Sequence, residues 1–111
     1  MAIAADLLRG YTDTIILSQL SHGDSYGYRI SKNVAELTGG SLEMKEATLY
    51  TAFRRLEQSG CIRSYWGDAQ TGARRRYYTI TEEGLRRLEA DCAVWEETQQ
   101  MLDLLLKEDS Q

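Results

Sequence analysis

The sequence has no proline, a single histidine, only two cysteines and no apolar run long enough to cross a membrane. Proline breaks or kinks a helix, so its absence leaves the helical patterns of the first and last segments uninterrupted. A membrane span needs about 20 apolar residues, and the first residues do not form a basic segment followed by a long apolar stretch. We therefore expect a cytoplasmic protein with no membrane contact.

The few residues suited to metal or enzyme chemistry are scattered. Cys61 and Cys92 lie far apart, with no CxxC spacing and no histidine cluster, so a metal site is not indicated. We expect both thiols to be reduced and buried. His22 lies in a turn-rich segment without a cysteine or an acidic pair arranged for catalysis. The sequence thus predicts no enzyme activity, no metal and no cofactor.

Charge is present but unevenly distributed. The chain has 13 basic and 17 acidic residues, for a net charge of −4. Residues 29–78 nevertheless hold nine basic residues against five acidic ones, whereas residues 1–28 and 79–111 are both acidic. A basic middle between acidic ends is typical of a protein that presents one face to phosphates and uses the rest for another purpose.

The apolar residues indicate one compact domain that begins with helices. At 111 residues and 42% hydrophobic composition, the chain is long enough for a single core. Apolar residues recur at helical intervals over about Asp6–Leu20, Tyr26–Leu37 and Glu46–Ser59. Glycines directly after the second and third segments are predicted to end those helices.

After the third helix the pattern changes to the period of a β-strand. Alternation predicts a hairpin with strands Cys61–Trp66 and Arg74–Ile80 around a polar tip. It sends Arg74 and Arg76 to one face and Arg75 to the other. Two tyrosines are expected to belong mostly to the core, Tyr78 because it shares a face with Ile80 and Tyr26 because it starts the apolar stripe of the second helix.

The last segment predicts one long helix, capped by Thr81 and continuing to about Lys107. Its apolar residues alternate at steps of three and four, the spacing of a coiled-coil seam. About 26 residues would span about 39 Å, more than one small domain can cover, so we expect a homodimer. The alternative is a seam that folds back on its own domain. The expected dimer interface comprises Leu8, Ile15, Leu88, Cys92, Trp95, Gln99, Leu102, Leu105 and Leu106.

Three helices, a hairpin and a long helix predict a mainly α fold with a small β-hairpin (α+β), a winged helix-turn-helix with a long C-terminal dimerisation helix. Residues 1–80 would form the DNA-binding domain, 81–107 the dimerisation helix and 108–111 a frayed tail. In such folds the third helix enters the major groove and the hairpin contacts the backbone. The predicted DNA-binding residues are Lys45, Ala47, Thr48, Tyr50, Thr51, Arg54, Arg55, Arg74, Arg75, Arg76 and Tyr77.

Other interpretations of the same residues remain open. An arginine run is often only a solvated face. A winged-helix protein–protein adaptor would use the basic wing on an acidic partner instead of a phosphate backbone. Salt-sensitive binding to random DNA would separate these alternatives.

Three stretches resemble the PadR family of transcription regulators: LLRGYTDTIILSQLSHGDSYGYRI at 7–30, ATLYTAFRRLEQSGCI at 47–62 and SYWGDAQTGARRRYYTITEEGLRRL at 64–88. The resemblance implies a winged-helix domain that binds operator DNA, a dimerisation helix, and repression that a small effector relieves. It places Leu49 in the core and Thr48 and Tyr50 towards DNA.

The resemblance has two departures and one further implication. Lys45 and Glu46 stand where many members have a small residue and a proline, and Thr51 stands where they have another proline. Glu46 favours the helix dipole but would repel a phosphate at the same helix start. Trp95 is a candidate effector pocket for a flat aromatic compound between subunits, and the alternative is that its indole only packs the dimer interface.

Overall fold

The computed structural model describes residues 8–67 and 74–107. Within them, helices and strands follow the predicted order, three helices, an antiparallel hairpin and a long final helix. The first helix, α1, spans Thr12–Ser21 and follows a 3-10 turn at Arg9–Tyr11. The expected α-helix over 6–20 is therefore wrong over that turn, where Gly10 disfavours an α-helix and 3-10 geometry is common. The predicted start at Asp6 lies outside the described residues.

The second helix, α2, spans Gly27–Leu37 and ends in two glycines with positive φ, Gly39 at 60° and Gly40 at 85°. The Gly40 amide donates to the Ala35 carbonyl at 2.8 Å, which satisfies an end carbonyl of the helix. The third helix, α3, spans Glu46–Gln58. Both helices end where the glycines predict.

The hairpin pairs strand β1, Ile62–Trp66, with strand β2, Arg76–Ile80. The register runs from Ile62 opposite Ile80 to Trp66 opposite Arg76. Both strands start later than predicted, and the predicted polar tip lies partly outside the described residues, which resume at residue 74. We call this hairpin, with the two arginines that precede β2, the wing.

The core lies where α1, α2 and α3 meet the base of the wing. Its largest fully buried side chains are Phe53, Ile16, Leu17, Leu20, Ile30, Leu56 and Ile62. Tyr78 is buried as predicted, with its ring stacked on Phe53 at a centroid distance of 4.0 Å. Backbone hydrogen bonds join Tyr78 to Ser25 in both directions, so the wing is tied to the segment before α2.

The final helix, α4, spans Glu82–Leu106. The Thr81 hydroxyl caps it by accepting from the Gly84 amide at 3.1 Å, as the sequence predicts. A Cβ at Gly84 would collide with the Cys61 carbonyl oxygen, so this glycine lets the first turn pack closely on the chain before β1. The molecule is 60 Å long, because α4 extends past the core.

The expectation that both cysteines are buried is half wrong. Both are free thiols, but only Cys61 is buried and Cys92 is exposed on α4. Leu88, one turn before Cys92, still packs against the core, whereas Cys92 lies where α4 leaves it.

Candidate nucleic-acid interface

The outward face of α3 is polar and is centred on Ala47, Thr51 and Arg54. All three are exposed, and they lie opposite the stripe that buries Leu49 and Phe53 in the core. Residues three and four apart share one helix face, so this face follows directly from the apolar spacing. A helix anchored this way presents short and long hydrogen-bonding side chains to a partner.

The flanks of this face carry the other predicted side chains. Thr48 and Arg55, both exposed, lie on one flank, and Lys45 immediately precedes the helix. Tyr50 lies on the other flank, next to the wing, and its ring meets Phe53 edge-on at 5.9 Å. The six residues of α3 that are predicted to bind DNA, and Lys45 before it, are therefore all at the surface, and their contact with DNA stays a prediction.

The wing arginines divide between two faces, as strand alternation predicts. The guanidinium groups of Arg74 and Arg76 lie over the Trp66 ring, 5.0 and 5.6 Å from its centroid. Arg75 lies over the Tyr26 ring instead, at 4.7 Å. Such cation–π contacts orient a guanidinium while leaving its N–H groups available to an anion.

Tyr26 is a correction to the sequence analysis, which expected it mostly in the core. It is half-buried at the surface, where Arg29 and Arg75 both contact its ring. Its edge meets the ring of Tyr77 at 5.3 Å. Helical periodicity places Tyr26 on the apolar stripe of α2. It cannot show that guanidinium groups from α2 and the wing lie over the Tyr26 ring.

A stack of tyrosines fixes the wing to the rest of the domain. The Tyr77 ring stacks on that of Tyr65 at 5.7 Å, and the Tyr65 hydroxyl donates to Asp24 Oδ2 at 2.6 Å. That hydrogen bond, helped by one from Thr79, lowers the pKa of Asp24, and the same bond raises the pKa of Tyr65. Tyr77, predicted to bind DNA, is half-buried and supports the wing from within this stack. No sequence pattern indicates the contact between Asp24 and Tyr65.

Between α3 and the wing lies a groove of about 400 Å³. Its lining comes from the start of α2, from α3 and from the wing: Tyr26, Gly27, Tyr28, Tyr50, Trp66, Arg74, Arg75 and Arg76. None of these residues is acidic. Arg76 Nη2 donates a hydrogen bond to Ser64 Oγ at 2.7 Å and lies 3.7 Å from Glu57 Oε1, with which it forms an ion pair. Among the described residues, Arg74 and Arg75 form no ion pair, and both line the groove.

Arg55 lies in an ion-pair network that the sequence analysis did not identify. Its Nε donates to Asp13 Oδ2 at 3.1 Å, and its Nη2 donates to Oδ1. Arg87 Nη2 donates to the same Oδ2 at 3.0 Å and its Nε lies 3.6 Å from Asp91, which also accepts from Thr14. Burial alone would raise the pKa of Asp13, but the hydrogen bonds and charges of the two arginines outweigh it and lower that pKa. One carboxylate thus joins α1, α3 and α4.

The residues predicted for the dimer interface differ in exposure: those near the core are half-buried, and those further along α4 are exposed. Leu8, Ile15 and Leu88 are half-buried, and Ile15 and Leu88 pack against the core. The exposed ones are Cys92, Trp95, Gln99, Leu102, Leu105 and Leu106. The Trp95 ring meets that of Tyr11 edge-on at 5.8 Å, beside an apolar groove of about 300 Å³ between α1, α2 and α4.

Comparison with known proteins decides the family. The model of the transcriptional regulator PadR-like family matches residues 16–90, from within α1 to the first turns of α4. The chain belongs to the PadR-like family. As a PadR-family transcriptional regulator it is not an enzyme. No helix among residues 8–67 and 74–107 is long and apolar enough to cross a membrane.

Individual relatives are similar to this chain over most of its length. A transcriptional regulator from Clostridium thermocellum is 50% identical with a TM-score of 0.82, covering 88% of this chain and 95% of that one. A PadR family transcription regulator from Clostridium difficile is 38% identical with a TM-score of 0.78, covering 86% and 98%. An uncharacterised protein of Lysinibacillus sphaericus is 39% identical over 95% of this chain and 96% of its own length.

Proposed function

We propose that this PadR-family regulator is a homodimeric repressor that binds a two-fold symmetric operator, with α3 in the major groove and the wing on the neighbouring backbone. One observation carries the proposal: Tyr50 on the flank of α3 and the three wing arginines line one groove, in which no described lining residue is acidic, and the exposed outward face of α3 lies next to that flank. Phosphate contacts position such a protein and base contacts give its specificity. The assignment as a repressor rests on the family resemblance.

The side chains divide naturally between these two tasks. Thr51 and Arg54 are central on the exposed face, where Arg can pair with guanine and Thr with several base edges. We assign the phosphate contacts of the wing to Arg74 and Arg75, which line the groove and form no ion pair with any described residue. Glu46 is exposed in the first turn of α3 and would repel a phosphate there, so we assign backbone contacts to the wing rather than to that helix start.

The distal half of α4 supports a dimer. Trp95, Leu102 and Leu106 lie on one stripe and are exposed in the single chain. An unpaired stripe of this size is costly, since burial of apolar surface contributes roughly 25 cal/mol per Å². A second copy related by a two-fold axis would cover it with its own α4 and the side of its α1. This arrangement places the acidic C-terminal third away from the DNA.

Selection from a random duplex library tests the proposal. We expect retained fragments to share two inverted half-sites about one helical turn apart, because two α3 helices would read one duplex together. Thr51→Ala should shift the preferred base at one position of each half-site while non-specific affinity stays within about twofold. An adaptor that binds an acidic protein would retain no duplex even at low salt, and a single short asymmetric site would contradict the dimer model.

A second candidate function is effector binding beside Trp95. The groove there is about 300 Å³ and lined mostly by apolar groups, within the range of small-molecule sites, and Trp95 and Tyr11 supply aromatic edges. Planar aromatic compounds are expected to quench Trp95 fluorescence and weaken operator binding. The titration needs a Trp66→Phe background, because Trp66 also emits. Absence of quenching by every planar class tried would leave Trp95 a packing residue only.

A further inference from the structure

We propose that Asp13 is a positioning residue for DNA binding, which holds the Arg55 guanidinium so that its free N–H edge faces the DNA backbone. The inference rests on the proposed DNA-binding function and extends it to α1, where no base or phosphate contact is expected. The Nε and Nη2 groups of Arg55 both bind the Asp13 carboxylate. A two-point contact of this kind fixes the plane of a guanidinium as well as its place.

The contact leaves part of Arg55 available. A guanidinium has five N–H donors, so the pairing with Asp13 leaves both Nη1 hydrogens and one on Nη2. The Arg55 side chain is 52% exposed, whereas that of Asp13 is only 12% exposed. Arg55 also lies on the same flank of α3 as Thr48, two turns further along, where a helix in the major groove runs beside a phosphate strand. The Asp13 carboxylate thus lies on the protein side of the Arg55 guanidinium, whose other side faces the solvent.

Asp13 itself is held in place from the other side. Arg87 of α4 donates to the same carboxylate, and Asp91 supports Arg87 in turn. Asp13 and Asp91 balance the charges of Arg55 and Arg87, but Arg55 is the most exposed side chain of the four, and its remaining N–H groups can still donate to a phosphate. The network therefore orients Arg55 and leaves part of its guanidinium available.

For Asp13→Asn, the change in net charge and the loss of the contact with Arg55 predict opposite changes in the affinity for DNA. The substitution removes one negative charge from an acidic protein, so electrostatics alone would tighten DNA binding. Loss of the rigid contact would instead free Arg55 to sample many rotamers. Its binding to a phosphate would then carry the full entropy cost of ordering a long side chain.

The test measures binding to a random duplex and to the selected operator at several salt concentrations. We expect Asp13→Asn to weaken binding about three- to tenfold and to lower the salt slope by up to about one per subunit, as for one lost phosphate contact. Asp13→Glu should recover part of the loss. The matched control is Asp91→Asn, which removes the same charge from the same network without touching Arg55 and should bind as tightly as wild type or slightly more tightly.

A second background separates positioning from general damage. In Arg55→Gln, adding Asp13→Asn should cause no further loss, because the positioned group is already gone. If Asp13→Asn fails to fold in a thermal melt, Arg55→Lys, which keeps the charge but loses the two-point contact, must show the weakening. Binding by Asp13→Asn that equals or exceeds wild type, or wild-type binding by Arg55→Lys, would overturn the inference. Wild type that binds no duplex would instead overturn the proposed function.

Discussion

The double substitution Leu102→Glu and Leu106→Glu is expected to give a folded monomer that binds its operator about 100-fold or more weakly than wild type. Both side chains lie on the stripe of α4 proposed to pair with a second copy. Carboxylates there would have to be buried, opposite their own two-fold mates, so the dimer would lose apolar contact and gain repulsion. Joining two half-site readers raises affinity through effective concentration, and separating them removes that gain.

The fold of the single chain should tolerate these changes. In the isolated protomer Leu106 is 77% exposed and Leu102 is 45% exposed, and both lie beyond the contacts of α4 with the core. Far-ultraviolet circular dichroism should therefore remain helical. Light scattering gives the mass, and anisotropy with the operator gives the affinity.

Leu104→Glu is the matched control for Leu106→Glu. Leu104 lies in the same turn of α4, is 76% exposed and points to the opposite side of the helix from the seam. It should leave the protein dimeric. If Leu104→Glu dissociated the protein as readily as Leu106→Glu, the proposed seam would be wrong even though a dimer exists.

The sequence was sufficient for the elements whose apolar residues repeat over several turns. Leu49, Phe53 and Leu56 specify the buried side of α3, and the outward face follows from them. The cap at Thr81 and the glycines after α2 are local signals, which need no knowledge of the fold. For the same reason the order of the helices and strands can be predicted from the sequence alone.

The features that the sequence missed are contacts between residues far apart in the chain. Asp13, Arg55 and Arg87 come from three helices, and each alone resembles an ordinary surface charge. Tyr26 starts the apolar stripe of α2, which predicts a core position, but arginines from α2 and the wing contact its ring at the surface. Cysteine is usually a small buried residue, which predicts burial of Cys92, but Cys92 is exposed on α4.

Replacing both Arg74 and Arg75 by alanine is expected to weaken binding to every duplex on the order of 100-fold at moderate salt and to flatten its salt dependence. Each phosphate contact contributes about 0.9 to the slope of log affinity against log salt, so two per subunit would remove up to about 3.6 from a dimer. These two arginines have no ion pair among the described residues, so their removal leaves none of the described carboxylates unpaired. Anisotropy titrations between low and moderate salt measure both quantities.

The control for the wing must change the net charge equally and lie elsewhere. Arg86→Ala with Lys107→Ala removes two exposed cations from α4 and its C-terminal end, outside the wing, so the net charge changes by the same amount. If long-range attraction were the whole effect, both doubles would weaken binding alike. Direct phosphate contact predicts a large loss for the wing double and a small one for the control, because exposed charges more than a Debye length of about 8–10 Å from the backbone are screened. Equal salt slopes in the two doubles would remove the wing from the interface and leave α3 as the only part assigned to DNA.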